Sequence, residues 1–272
     1  MDKNTEVKLK KLRQIMRETG GCAVAYSGGV DSTLVLTVAH EVLGERSLAV
    51  TALSSTYAQS ESKAALDWVE KNKIPYKTIV SEELDIPEFS DNPPDRCYFC
   101  KKELFGKVME VAAANGLGFV ADGTGADDVN DHRPGMMAAC ELNVISPLKD
   151  AGLSKTEIRT ISDEVYNLPT AHKPAMACLA SRFPYGSKIT GQKLQQVEAL
   201  ENFLIQKGFD GFRARHHGSI VRLELAGAQI DRMLDKKVRG ECVQAAKDLG
   251  FSYITLDLEG YRTGSMNEVL ET

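Results

Sequence analysis

Three stretches of this chain put together residue types at spacings that can do chemistry. The first is Tyr26-Ser27-Gly28-Gly29-Val30-Asp31-Ser32-Thr33. Ahead of it, Cys22-Ala23-Val24-Ala25-Tyr26 reads as a buried strand. Behind it, Leu34, Val35, Leu36, Val38, Ala39, Val42 and Leu43 make an apolar helix expected to stop at Gly44. A strand, a Ser/Gly turn and a helix N-terminus together form an anion site. Gly28 and Gly29 let the backbone open and approach a ligand closely. The free N–H groups of the first helical turn, with the helix dipole, then face phosphates. Ser27, Ser32 and Thr33 add hydroxyl donors. A Walker loop would carry Lys before its final Ser/Thr; here Asp31 stands in that place. The competing reading is an ordinary strand-to-helix turn.

The second stretch is Asp122-Gly123-Thr124-Gly125-Ala126-Asp127-Asp128, which comes after a short apolar run at 118–121. A strand that ends in Gly and acidic residues belongs at the carboxyl edge of a parallel sheet, where such sheets bind ligands. Asp127 and Asp128 offer hard oxygen ligands suited to Mg²⁺ on phosphates; the alternative is a solvated acidic turn. The third feature is a set of cysteines. Cys97 and Cys100 stand as CxxC at an expected helix start, and Cys178 lies in a non-periodic segment with Ser181, Arg182, Tyr185 and Lys188. A lone CxxC fits a redox pair, half a zinc site or part of an iron–sulfur site. No second CxxC and no HxxxH accompany it, so a complete zinc site is poorly supported. Three thiolates can instead hold a [4Fe–4S] cluster with one iron open. Cys22, Cys140 and Cys242 read as core residues.

The elements that position these residues come in a regular order. An amphipathic helix is expected over 5–19, strands over 47–53 and 76–80, and a helix over 58–72. Residues 82–96 hold Pro87, Pro93 and Pro94 and read as an irregular loop, a flap over the site. Helices are expected from Cys97 through Val111 and over 136–142, and Ser154 with Glu157 predicts a capping box for a helix over 154–167. The alternation of strands and helices from 22 to 150 specifies an α/β fold, a doubly wound and mainly parallel sheet. Periodicity then lapses. A second pattern starts at 191: a helix over 192–207, a hairpin turned at His217-Gly218, two helices and a strand over 253–257. The expected organisation is a nucleotide domain over 1–168, a linker over 169–190 that carries Cys178, and a small α/β domain over 191–272 for substrate and oligomerisation.

With 43% hydrophobic and 26% charged residues, the 272-residue chain has the composition of a soluble globular protein. Its net charge of −5 gives no footprint for nucleic acid. Residues 1–20 are Lys-rich without a continuous apolar core, so no secretory signal is expected. No stretch approaches the ~18 apolar residues of a membrane span. The default expectation is a cytoplasmic protein, in which thiols are more often buried, reactive or metal-bound than disulfide-paired.

The segment 27–32, reading SGGxDS, resembles the signature of the PP-loop (N-type) ATP pyrophosphatases. That superfamily cleaves ATP between the α and β phosphates, transfers AMP to an acceptor oxygen and lets a nucleophile displace it. The resemblance implies an adenine nucleotide alpha hydrolase-like domain. Ser27, Gly28, Gly29, Asp31 and Ser32, with Gly123 and Thr124, would hold ATP and pyrophosphate, and Leu53 and Ser54 would meet the adenosine. A second resemblance is narrower. Ala177-Cys178-Leu179-Ala180-Ser181-Arg182-Phe183-Pro184-Tyr185-Gly186 is similar to the hallmark of the LarE family. So are Asp127-Asp128…Asp131-His132-Arg133-Pro134-Gly135 and Gly260-Tyr261-Arg262-Thr263-Gly264. These are sulfur-inserting enzymes that mature the nickel-pincer cofactor of lactate racemase, and the similarity covers nearly the whole chain.

This second resemblance implies that ATP adenylates a carboxylate of pyridinium-3,5-biscarboxylic acid mononucleotide, that pyrophosphate leaves, and that sulfur displaces AMP to give a thiocarboxylate. One variant of the family sacrifices the sulfur of a single cysteine at the Cys178 position. The other uses three cysteines and a [4Fe–4S] cluster that carries an extra sulfide, and Cys97, Cys100 and Cys178 place this chain with it. The implied cofactors are ATP, Mg²⁺ and the cluster. The implied partners are the mononucleotide and further copies of the chain, and the sulfide donor is left open. Ser181, Arg182, Arg213 and Arg215 are the candidates for the substrate phosphate, with Lys101 and Arg262 behind them. Arg213 and Arg215 alternate on a strand and point the same way. Competing functions are a tRNA 2-thiolation enzyme, disfavoured by the net charge, and an amidating synthetase of the NAD or GMP type, which has no use for the three cysteines. An ATP-sensing module that binds without releasing pyrophosphate is the non-enzyme reading.

Overall fold

Four short strands lie side by side as β1 (Cys22–Ala25), β2 (Ser47–Leu53), β3 (Tyr76–Val80) and β4 (Phe119–Ala121). They form a fully parallel sheet in the order β3-β2-β1-β4. The chain lays down β1, β2 and β3 outward in one direction, then returns to place β4 on the other side of β1. At that reversal the loops after β1 and β4 leave in opposite directions and open a crevice at the carboxyl edge, where open α/β sheets bind ligands. The computed structural model describes residues 1–130, 134–174, 177–262 and 264–270, with the side chains of all but 129, 130, 269 and 270. Asp131, His132, Arg133 and Thr263 of the family-like motifs therefore lie outside the described residues.

The helices, in chain order, are α1 (Lys3–Glu18), α2 (Val30–Leu43), α3 (Gln59–Lys71), α4 (Pro87–Ser90), α5 (Arg96–Ala114), α6 (Pro134–Glu141), α7 (Pro147–Ala151), α8 (Lys155–Glu164), α9 (Gly191–Gln206), α10 (Gly227–Leu234) and α11 (Lys236–Asp248). Strand alternation sorts them into layers. Cys22, Val24 and Ala49 face one cluster, built with Leu9 and Leu12 of α1, Leu34 and Val38 of α2, Val69 of α3 and Ile158 of α8. Ala23, Leu48 and Val50 face the other, built with Leu104, Phe105 and Val108 of α5. Both faces of β1 and β2 are covered, which is why these strands read as largely apolar runs rather than alternating ones, whereas the edge strand β3 is partly exposed. The doubly wound sheet is thus present. The helix after the loop ends where expected, at Gly44 with φ +55°. The capping box is also formed: Glu157 N donates to Ser154 Oγ at 3.3 Å and Ser154 N to Glu157 Oε2 at 2.8 Å.

The chain divides into two units, Met1–Glu83 with Asp95–Met176, and Leu84–Pro94 with Ala177–Thr272. The second unit is built on β5 (Phe212–His217), β6 (Ile220–Leu225) and β7 (Tyr253–Leu256) in the order β5-β6-β7. β5 and β6 are antiparallel and β7 is parallel to β6. The hairpin turns at Gly218-Ser219, one residue later than the sequence predicts, with Gly218 at φ +70°. Residues 82–96 are more ordered than an irregular loop. They carry a 3-10 turn at Glu83–Asp85 and the one-turn helix α4. Pro87 starts that helix rather than breaking it, because a first-turn N–H has no intrahelical partner to lose. Asn92, fully buried at φ +60°, fixes the segment inside the second unit. Its Nδ2 donates to the Pro184 carbonyl at 2.7 Å, and its own carbonyl accepts from Gly186 N at 2.9 Å. Among the described residues no helix is long and apolar enough to cross a membrane.

Candidate functional site

In the first unit the loop after β1 is held open by its own hydroxyls. Ser27 and Ser32 Oγ lie 3.1 Å apart, and Ser32 Oγ also takes Ser27 N at 3.3 Å. Thr33 Oγ1 donates to the Gly29 carbonyl at 2.7 Å. Gly28 has φ +71°, and a Cβ there would stand 2.7 Å from Ala65 Cβ on α3. Both conditions demand glycine. Gly29, at φ −80°, is the N-cap of α2 and needs no special freedom. From the other side, Gly123 after β4 packs so closely that a Cβ would meet Ser32 N at 2.9 Å. The two turns flanking the crevice therefore touch, and the first turn of α2 lies at their junction. Thr124 is fixed beside it, Oγ1 donating to Asp122 Oδ2 at 2.6 Å.

Two lysines that motif and spacing do not single out sit on this loop. Lys155, the first residue of α8, pairs with Asp31, Nζ to Oδ1 at 2.6 Å. Its backbone N–H donates to Asp127 Oδ2, also at 2.6 Å. Lys173 donates to the Gly28 carbonyl at 3.3 Å and pairs with Glu61 of α3. The capping box was the one signal for Lys155, since Ser154 as N-cap fixes Lys155 at the helix's first position. Lys173 had no such local signal. Asp128 Oδ2 accepts from Gly125 N at 2.8 Å. At the end of β2, Leu53 is partly exposed and Ser54 Oγ donates to the buried Glu83, whose Oε1 also takes Thr56 Oγ1 at 2.5 Å.

Cys97 and Cys100 lie in the opening turns of α5, three residues apart and so on one face. Cys97 is exposed and Cys100 half-buried. Lys101 beside them points its Nζ over the Phe105 ring at 5.2 Å. Cys22 and Cys242 are buried, and burial pushes their thiols up to about 12 and about 11. Cys140 is a correction to the core reading. It is exposed, because Ala138 and Ala139 take the buried side of α6. Among the described residues no three His, Cys, Asp or Glu side chains gather into a metal-holding group.

In the second unit Cys178 is half-buried and precedes the 3-10 turn Leu179–Arg182. Arg182 is fully buried and forms a bidentate pair with Glu201, Nε to Oε1 at 3.0 Å and Nη2 to Oε2 at 2.9 Å. Its Nη1 donates to the carbonyls of Ala177 at 2.8 Å and Cys178 at 3.2 Å, and to Ser181 Oγ at 3.0 Å. Arg215 reaches the same turn, Nη1 to the Ser181 carbonyl at 3.0 Å, while its Nη2 pairs with Glu224 at 2.7 Å. The strand register puts Arg213, Arg215, Arg222 and Glu224 on one face. Arg213 makes no ion pair among the described residues; it lies over the Tyr261 ring at 4.8 Å. Burial first, and the neighbouring Arg182 next, hold its guanidinium below the usual arginine value. Arg262 is engaged with Glu259 and Glu268.

The first unit thus presents a Ser/Gly anion cradle flanked by two lysines. The second presents a thiol on a turn braced by two arginines, beside a third that makes no ion pair among the described residues. No protein-family model matches the chain. An uncharacterized protein of Synechocystis sp. is 43% identical over 268 residues, 97% of this chain and 98% of that protein. One subunit of the glutamine-hydrolyzing GMP synthase of Thermoplasma volcanium is 26% identical over 204 residues, 69% of this chain and 64% of that one. The pyridinium-3,5-bisthiocarboxylic acid mononucleotide synthase of Lactiplantibacillus plantarum is 37% identical over 260 residues, 95% of this chain and 92% of its own length. On that similarity, carried from end to end, the chain belongs to the LarE family of enzymes.

Proposed function

We propose that this chain is an ATP-dependent sulfur transferase that converts a carboxylate of pyridinium-3,5-biscarboxylic acid mononucleotide to a thiocarboxylate. The observation that carries this reading is the 37% identity to the Lactiplantibacillus plantarum synthase along 95% of the chain. The substrate carboxylate attacks the α-phosphorus of ATP. Pyrophosphate leaves, and sulfide attack on the acyl carbon expels AMP. Ser27, Gly28, Gly29 and Ser32 bind the departing pyrophosphate through the α2 N-terminus, with Gly123 and Thr124 closing its other side. Lys155 neutralises charge as the bond breaks, and Leu53 and Ser54 border the adenosine. Asp127 and Asp128 would hold Mg²⁺ through carboxylate oxygens, a hard-ligand set that suits this ion.

For the substrate phosphate, Arg213 is the guanidinium with charge to give, because Arg182 and Arg215 are engaged with Glu201 and Glu224. Ser181, Arg182 and Arg215 then shape and hold the turn around Cys178. Cys97, Cys100 and Cys178 are assigned as three thiolate ligands. Brought together, these three thiolates would hold a [4Fe–4S] cluster, which would supply one iron open to an added sulfide. One feature supports the assignment: Cys97 and Cys100 share a face of α5. A cytoplasmic homo-oligomer completes the reading. The test is anaerobic turnover with MgATP and the biscarboxylate mononucleotide. Pyrophosphate release that depends on this acceptor, and a product heavier by about 16 mass units per oxygen replaced by sulfur, are expected. Release of pyrophosphate with tRNA but not with the mononucleotide would overturn the proposal.

A further inference from the structure

Lys173 is a cation held at the phosphate loop by one carboxylate, Glu61, and one long backbone contact. Its Nζ contact to the Gly28 carbonyl is 3.3 Å, long for an N–H···O bond. Its ion partner, Glu61, is 27% exposed and Lys173 itself 23%. About a quarter of each side chain reaches water, so the pair is half-buried yet open to an incoming anion. Its placement is not loose, however. Glu61 and Ala65 are one helical turn apart on α3 and so lie on one face. Ala65 is the residue pressed against Gly28. Glu61 therefore holds the ammonium beside a backbone whose next N–H groups open α2 toward an anion.

A single, partly exposed carboxylate competes poorly for a lysine with a triphosphate, which brings several negative charges to the same spot in a partly desolvated crevice. We infer that Lys173 is a ligand for the phosphates of the bound nucleoside triphosphate, and that Glu61 is a stand-in anion that keeps it over the loop until the nucleotide arrives. Lys173, held beside Gly28, and Lys155, held at Asp31, then both meet the phosphates, each leaving a carboxylate of its own. The inference rests on the ATP reading of the loop 27–32.

It makes a signed prediction for the two halves of one ion pair. Calorimetric titration with MgATP gives the affinity. The only tryptophan, Trp68, gives a second readout, since it lies on α3 with its ring centroid 5.9 Å from that of Tyr26 at the loop. Lys173→Met should weaken MgATP binding about tenfold, the loss of one charge-assisted contact. Glu61→Gln should strengthen it about threefold, because a competing anion is removed. In a Lys173→Met background, Glu61→Gln should change nothing. A pair that merely clamps α3 predicts that both single variants bind more weakly, and that result overturns the inference. So does a Lys173→Met protein that binds MgATP like the wild type. Wild-type protein that fails to bind MgATP at all fails the loop reading itself, and the inference with it.

Discussion

Lys155 and Asp31 meet across 124 residues of sequence, Nζ to Oδ1 at 2.6 Å, and the backbone N–H of the same lysine donates to Asp127. One residue thus ties the phosphate loop to the acidic turn on the far side of the crevice. Lys155→Met should lower the rate of pyrophosphate release about 100-fold, a typical loss for one aimed charge donor. Asp31→Ala and Ser32→Ala should do at least as much. Phosphate-coupled detection of pyrophosphate on folded variants is the check, and wild-type rates in Lys155→Met would remove it from the site.

Neighbouring glycines should answer differently. Gly28→Ala places a methyl 2.7 Å from Ala65 Cβ at φ +71°, so overpacking and backbone strain add. A loss of about 2–4 kcal/mol and of MgATP binding is expected. Gly29→Ala meets nothing closer than Ser27 Oγ at 3.5 Å and sits at φ −80°, so denaturant unfolding should move by no more than about 1 kcal/mol.

The cysteines should separate the two half-reactions. Cys97→Ser, Cys100→Ser and Cys178→Ser should each abolish sulfur transfer and the broad visible absorption of anaerobically prepared protein, yet keep acceptor-dependent pyrophosphate release. In the proposed reading, adenylation and sulfur delivery use different residues. If Cys178 alone supplies the sulfur, only Cys178→Ser stops transfer, and turnover cuts the protein mass by one H₂S.

Arg182 and Glu201 form a buried bidentate pair, so removing one partner strands a charge. Arg182→Met or Glu201→Met alone should cost about 3–5 kcal/mol, while the double variant should recover most of it. Equilibrium denaturation reads this directly. Additive losses would mean that the pair is not the unit that matters.

Acid should weaken the second unit through His216. The ring is buried between Phe183 and Phe251, with Nδ1 accepting from Gly218 N at 3.2 Å and Nε2 facing Gln196 Oε1 at 3.2 Å. Both nitrogens are satisfied in the neutral form, and burial holds the imidazole below its usual 6.5. The unfolded chain therefore takes up the proton first. Stability is full above pH 6.5 and falls as pH drops toward the folded-state value. Thermal midpoints measured from pH 7.5 down to about 5 should show this slope in the wild type. His216→Phe should reduce it, with the remainder carried by His217, whose imidazole burial and then Arg222 also hold low.

The parallel sheet and its loop were legible because local signals agreed. Residues 22–26 are an unbroken apolar run, Ser27-Gly28-Gly29 a turn, and residues 34–43 a helical stripe, and each of the three specifies its own element unaided. Arg213 and Arg215 were readable as face-sharing because strand periodicity is fixed. Lys173 was not readable. Its partners Glu61 and Gly28 come from α3 and the loop after β1, and tertiary packing alone brings them together. Cys140 misled because two alanines, rather than the larger cysteine, take the buried stripe of α6. The prolines at 87, 93 and 94 suggested irregular chain, whereas Pro87 opens a helix and Asn92 is fully buried.

That buried asparagine has a consequence for how the protein is made. Asn92 precedes Phe183, whose carbonyl it meets, by 91 residues. On a ribosome the segment Leu84–Pro94 emerges long before the chain that will surround it. Until then Asn92, fully buried in the finished fold, lacks the carbonyls of Phe183 and Pro184. The first unit can condense around its sheet in the meantime, but it must do so with this stretch held out as a loop awaiting a distant closure, which is entropically slow. A chain ended after Met176 would keep the stretch and lose its partners. The second unit is therefore not a detachable cassette that evolution could shuffle or an experimenter could clip. Its first strip of sequence is written inside the other unit, and the two must be inherited, synthesised and matured as one.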